Sequence, residues 1–339
     1  MKQANDDSFT LALVFLIGLQ LFNGNSLIGA RRQVFSPEAL KQTTAAKQWF
    51  NQTPNRLNPL GLVDAQHLPE TSTQTDHNNQ TLLNQRGARV YHFLLPDPAM
   101  ALYQDKVIKD LAKDEIKAIN DWRTHFCKKA FSPEHIKQLQ TFSEKIDELW
   151  QAHTQEQARI RDKTTDPFKI WGQPDDQRHQ VSRLELKDHI LAQERYSKNL
   201  KNSSPYRRLK LVMDYWCALW FWPINQAELL PDRNQYFFDL NWLLMGGTLE
   251  PITEIGQSGD LFPDTLPQQI SIDFNDKFGQ LDIEKIIKDN PRLNLVNQIA
   301  EQQHFFHWEL EFADIFANNG GLFLSCTFYF LGIFIVINI

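Results

Sequence analysis

The chain has 339 residues, 42% apolar and 22% charged, which supports a buried core and excludes a wholly disordered polymer. A net charge of -6 at pH 7 excludes wholesale wrapping of nucleic acid, although a local basic groove stays compatible with it. Cys127, Cys217 and Cys326 lie far apart with no CxxC pair, which excludes a disulfide framework and a thiolate zinc site and suits a reducing, cytoplasmic setting.

The first notable stretch is an apolar run, Phe9 to Phe22, of signal-peptide length. The preceding MKQANDDS sets Lys2 against Asp6 and Asp7, and no small-x-small cleavage site follows, so the run is not expected to direct secretion. In NGNSLIGARRQVFSPEAL, a glycine-punctuated turn leads to Ser36-Pro37-Glu38, which predicts a helix start with a capping serine and proline in the first turn. Residues 51–86 are rich in Asn, Gln, Thr and Pro and predict a loop. Val90 to Leu95 predicts a short buried strand ended by Pro96.

From Asp105 to about Leu200 the pattern is helical. Ser132-Pro133-Glu134 repeats the start signal, and Ile136, Leu139, Phe142, Ile146 and Leu149 follow at three- and four-residue steps. TTDPFKIWGQPDD, residues 164–176, predicts a loop before a second polar helix. Leu209 to Trp222 is apolar on nearly every face, interrupted by Lys210 and Asp214, and predicts a buried core helix. Tyr236 to Gly247 predicts another buried helix with a glycine stop, and Pro291 to Gln303 a last one opened by proline. HFFHWELEFADIFANNGG, His304 to Gly321, then meets an apolar tail, Leu322 to Ile339, that is about long enough to span a bilayer. No Lys or Arg follows Arg292, so the basic flank that orients a membrane helix is missing.

Candidate chemistry is sparse. GNSLIG, Gly24 to Gly29, misses the G-x-S-x-G nucleophile elbow because its second glycine comes one residue late, and neither dinucleotide nor phosphate-loop glycine patterns occur. His304 and His307 are metal-ligand types, but in an extended segment their side chains point to opposite faces, which predicts buried or capping histidines instead. Asn58-Pro59 and Asn290-Pro291 lack the second proline and aromatic of an amino-group-binding loop and predict turns or helix starts.

Three ordered blocks, GNSLIGA (24–30), KLVMDYWCALWFWPI (210–224) and HFFHWELEFADIFANNGG (304–321), together resemble one family; VYHFLLPD and RDKTTDPFKIWGQ fit it as well. The set is similar to the large class I adenine-N6 DNA methyltransferases of fused restriction–modification or phage-defence type, over about residues 23–321. The resemblance implies a mainly α chain, a helical insert with short flanking strands left from a Rossmann-like sheet. It divides the sequence into an unmatched apolar start (1–22), a cofactor-side segment (23–35), the insert (36–303), a return segment (304–321) and an unmatched apolar tail (322–339). S-adenosylmethionine and DNA are the ligands of that family, and Asn25 and Ser26 would lie beside the cofactor adenine. Those two residues read equally well as a turn into the next helix.

The family's glycine-rich cofactor loop and acidic ribose contact are expected well before Gly24. Its Asn-Pro-Pro-aromatic loop, which holds a flipped base by its amino hydrogens, is expected after Gly321. Neither is in the sequence. The expectation is therefore a truncated, frameshifted piece of a methyltransferase, inactive by itself, whose partners are DNA and the missing remainder of the enzyme. Its tail would associate with membranes only adventitiously. The alternatives are a non-catalytic helical module that binds DNA or protein, and a tail-anchored membrane protein.

Overall fold

A computed structural model describes residues 23–42, 48–57, 89–164, 204–246 and 281–318. The expected signal-like run, most of the Asn/Gln-rich loop, the 164–176 loop beyond Thr164, the second polar helix, and the apolar tail lie outside the described residues.

Helices dominate, as expected. In chain order the elements are β1 (Gln33–Phe35), α1 (Pro37–Lys41), β2 (Asn55–Arg56), β3 (Val90–Tyr91), α2 (Lys106–Leu111), α3 (Lys113–Phe126), α4 (Pro133–Thr164), α5 (Pro205–Ala218), α6 (Arg233–Met245), α7 (Ile283–Asp289), α8 (Pro291–Gln303), α9 (Trp308–Glu311) and α10 (Ala313–Asn318). Single 3-10 turns occupy Trp49–Asn51 and His92–Leu94, and two more, joined across a kink at Gln226, occupy Ile224–Leu229. Among the described residues no helix is long and apolar enough to cross a membrane.

Local chemistry explains where the helices start. Ser36 accepts from the Ala39 amide and Ser204 from the Arg207 amide, each with proline as the next residue. Asp232 and Gln235 close a reciprocal capping box on α6, which ends at Gly246 with φ of 75°. Asn290 caps α8 by accepting from Arg292 and Leu293. Because the Ser204 cap and Pro205 set its start, α5 begins before the apolar onset and ends at Ala218 rather than Trp222. Phe221, expected inside that helix, is 38% exposed.

Two expectations about extended chain are corrected. The strand expected over Val90 to Leu95 stops at Tyr91, and His92–Leu94 wind into a 3-10 turn. Inside the segment read as loop, Asn55–Arg56 form a strand. The sheet is antiparallel in the order β2-β1-β3, with Val34 opposite both Asn55 and Tyr91.

The core centres on α5, which packs against α4, α6 and α8. Leu209, Leu211, Val212, Met213, Tyr215 and Ala218 are fully buried along it. From α4 the expected stripe of Ile136, Leu139, Phe142, Ile146 and Leu149 is buried, while Glu148, Glu156 and Arg159 face water. Burial of each such apolar side chain contributes about 1.5–3 kcal/mol before entropy is counted.

Candidate functional site

The first and last of the resembling blocks lie side by side. Asn25 forms an isolated parallel bridge with Phe305. Its amide donates to the His304 carbonyl at 2.6 Å, and the Phe306 amide donates to the Ile28 carbonyl at 2.8 Å. Further along, the Ala30 amide donates to His307 Nδ1 at 3.0 Å, and the Arg32 amide donates to the Glu309 carboxylate. The Trp308 indole N–H donates to the Ser26 carbonyl at 3.0 Å. Residues 25–32 are thus clasped in register onto residues 304–309.

Two glycines make the approach possible. A Cβ on Gly29 would stand 2.0 Å from the Phe306 carbonyl oxygen, and one on Gly24 would stand 2.4 Å from the Phe306 ring. No side chain fits at either place. Between them Asn25 Oδ1 accepts from the Leu27 amide at 3.1 Å, a tight Asx turn that leaves Leu27 92% exposed.

The histidines are a capping and a buried one, as expected, although the segment does not alternate: Phe305, Phe306 and His307 are buried in succession. His304, in the left-handed region at φ of 53°, caps α8 and is exposed, whereas His307 is fully buried. Because the Ala30 amide requires a lone pair on Nδ1, His307 carries its proton on Nε2 and donates it to Asp214 Oδ1 at 2.9 Å. Lys210 Nζ donates to both Asp214 oxygens, at 3.0 and 2.9 Å. Burial pushes the His307 imidazole below its ordinary 6.5 against the pull of Asp214. Burial also works to raise the Asp214 carboxyl, but the bonds from His307 and Lys210 outweigh it and hold the group below its usual value.

A second buried network joins the sheet to α4. Arg89 donates to both oxygens of Asp147 at 2.8 and 2.7 Å, and the Tyr91 hydroxyl donates to the same carboxylate at 2.7 Å. Arg32 lies over the Trp150 ring, 4.9 Å from its centroid, and donates to the Tyr91 oxygen at 3.4 Å. Burial, with Asp147 adding to it, pushes the Tyr91 hydroxyl up to about 12. A third network ties three helices: Asp239 of α6 accepts from Tyr215 of α5 at 2.8 Å, from Arg292 of α8 at 2.9 Å, and from Asn290 at 3.1 Å.

In all three networks the buried carboxylates are hydrogen-bonded to their cations and hydroxyls, and they hold elements together rather than face a cleft. Among the described residues no group of three metal-ligating side chains is assembled. Burial pushes the Cys127 thiol up to about 12 and raises that of Cys217, so neither is an activated nucleophile. Asn25 and Ser26 form the turn of the clasp, where Asn25 Oδ1 accepts from the Leu27 amide and the Ser26 carbonyl accepts from Trp308. Sequence reasoning did not foresee Asp214, Lys210 and His307 as a unit. The available signal was the i,i+4 pair Lys210 and Asp214, the lone polar interruptions in an apolar helix.

Comparison with protein-family models, curated proteins and solved structures finds no match for this chain.

Proposed function

We propose that the chain is the helical middle region of an S-adenosylmethionine-dependent adenine-N6 DNA methyltransferase of a restriction–modification or phage-defence system, unable to transfer methyl groups by itself. The parallel bridge between Asn25 and Phe305 carries this reading. Parallel neighbours need a long crossover between them, and a helical insert leaving and rejoining a Rossmann-like sheet would bring its two ends together side by side. Two of the three blocks that together resemble the family, 24–30 and 304–321, are the ones the bridge joins.

At the turn of Asn25 and Ser26 two acceptors are already engaged. Asn25 Oδ1 is committed to the Leu27 amide and the Ser26 carbonyl to Trp308. The glycine-rich loop and the ribose-binding carboxylate of the family are not in the sequence, nor is the loop that would hold the flipped base.

Incubation of the purified protein with methyl-labelled cofactor and unmethylated genomic DNA is expected to leave the DNA unlabelled; incorporation above a protein-free blank overturns the inactive reading. The family assignment has its own test. Translation of the flanking DNA in all frames is expected to yield a glycine-rich cofactor motif upstream and an Asn-Pro-Pro-aromatic motif downstream, and unrelated sequence on both sides argues against it. A second reading, a helical module that binds DNA or protein without catalysis, is favoured by the capped helices and the satisfied buried networks. A sharp, reversible unfolding transition with no binding of dye to exposed apolar surface would support it.

A further inference from the structure

We propose that His307 is an acid-sensitive latch whose neutral imidazole holds residues 25–32 on residues 304–309 and whose protonation releases them. The inference does not depend on the methyltransferase reading. It rests on the direction of one hydrogen bond: the Ala30 amide donates to Nδ1 at 3.0 Å, so that nitrogen must keep its lone pair. An imidazolium has two N–H donors and no acceptor. Protonation at Nδ1 would turn a bond into two N–H groups facing each other.

The ring has no escape within the fold. It is 0% exposed, and Nε2 is fixed to Asp214 Oδ1 at 2.9 Å, so rotating Nδ1 away from Ala30 forfeits the second bond. Asp214 attracts the imidazolium, but Lys210 already neutralises that carboxylate through two bonds. The other charged or titratable groups near the clasp are Cys217 of α5, whose sulfur also bonds the Ala30 backbone, Tyr206 of α5, Glu309 and Glu311 of α9, Arg32 on the clasped segment, and His153 of α4, which meets the Leu310 carbonyl at 2.9 Å. Tyr206 donates to Glu311 at 2.7 Å, and Glu309 accepts from the Arg32 amide, so both carboxylates already hold partners of their own.

Ala30 therefore parts from His307 on protonation. The bonds at Asn25, Ile28 and Arg32 lie on the same short segment and open with it. Burial favours the neutral ring, placing the release below the ordinary 6.5 of histidine. The stabilisation is complete above that value and is lost as pH falls through it toward the folded-state value.

Hydrogen–deuterium exchange of the full chain between about pH 7 and pH 5, corrected for intrinsic rates, reads the latch directly. Protection of residues 25–32 is expected to fall by roughly tenfold or more across that range, while α5 stays protected. His307→Gln can accept from Ala30 through its carbonyl and donate to Asp214 through its amide, without titrating. It is expected to abolish the pH dependence, and Glu309→Gln to leave it in place. Unchanged wild-type protection, or pH dependence that survives His307→Gln or disappears in Glu309→Gln, overturns the proposal. Should His307→Gln not fold, NMR of the wild-type protein decides. The His307 ring and the Ala30 amide are expected to titrate with one midpoint, and separate midpoints refute the latch.

Discussion

Single residues set the closest tolerances in this molecule. Gly29→Ala would drive a methyl group into the Phe306 carbonyl, and a loss of roughly 2–4 kcal/mol is expected in denaturant unfolding. His304 is the converse case. It is exposed and left-handed at φ of 53°, where glycine belongs, so His304→Gly is expected to raise stability by up to about 1 kcal/mol. His92 reports on burial: desolvation holds its imidazole down to about 4 despite its bond to the Gln33 carbonyl. The unfolded chain takes up a proton near 6.5 and the folded one does not. Stability tied to His92 is thus full above 6.5 and is lost as pH falls toward about 4. Its ring signals in NMR should stay those of neutral imidazole until that lower value, and a midpoint near 6.5 would refute the assignment. At this scale the sequence was informative where geometry is strictly local. The residue types in HFFH pointed to buried or capping histidines, whereas the bond from Ala30 joins residues 277 positions apart and had no local trace.

Among the elements, α5 and the α4–sheet contact bear most on stability. Leu211→Ala, at 0% exposure, is expected to cost about 2–5 kcal/mol through lost transfer energy and the cavity left behind. Asp147→Ala should cost about 3–5 kcal/mol, because it leaves the Arg89 guanidinium buried without its carboxylate. A double replacement with apolar residues of matched volume at both positions should recover most of that loss in the same unfolding measurement. Helix starts were legible at Ser36-Pro37, Ser132-Pro133 and Asn290-Pro291, since capping is settled within four residues. The start of α5 was misplaced because the apolar onset at Leu209 was followed instead of the Ser204-Pro205 cap. Of the sheet only the start of β3 at Val90 was read, for a different reason. Strands of two or three residues are too short to display an alternating period, and their pairing joins residues 33–35 to 55–56 and 90–91.

For the whole molecule, the mainly helical class followed from periodicity and composition, and the joining of its first and last blocks followed from neither. The apolar residues 322–339 carry a separate expectation. Deletion after Gly321 should increase the soluble fraction, and carbonate washing should strip much of the full-length chain from membranes. Quantitative retention in one orientation would establish a true anchor.

The clasp also has a consequence for how the chain comes to be made. Its partners are separated by about 280 positions, so Ala30 and Ser26 must wait for that many further residues to be synthesised before His307 and Trp308 leave the ribosome. Until then the apolar face of α5 that receives the return segment has no cover, and a nascent chain arrested before residue 304 should bind chaperones more avidly than one released after 318.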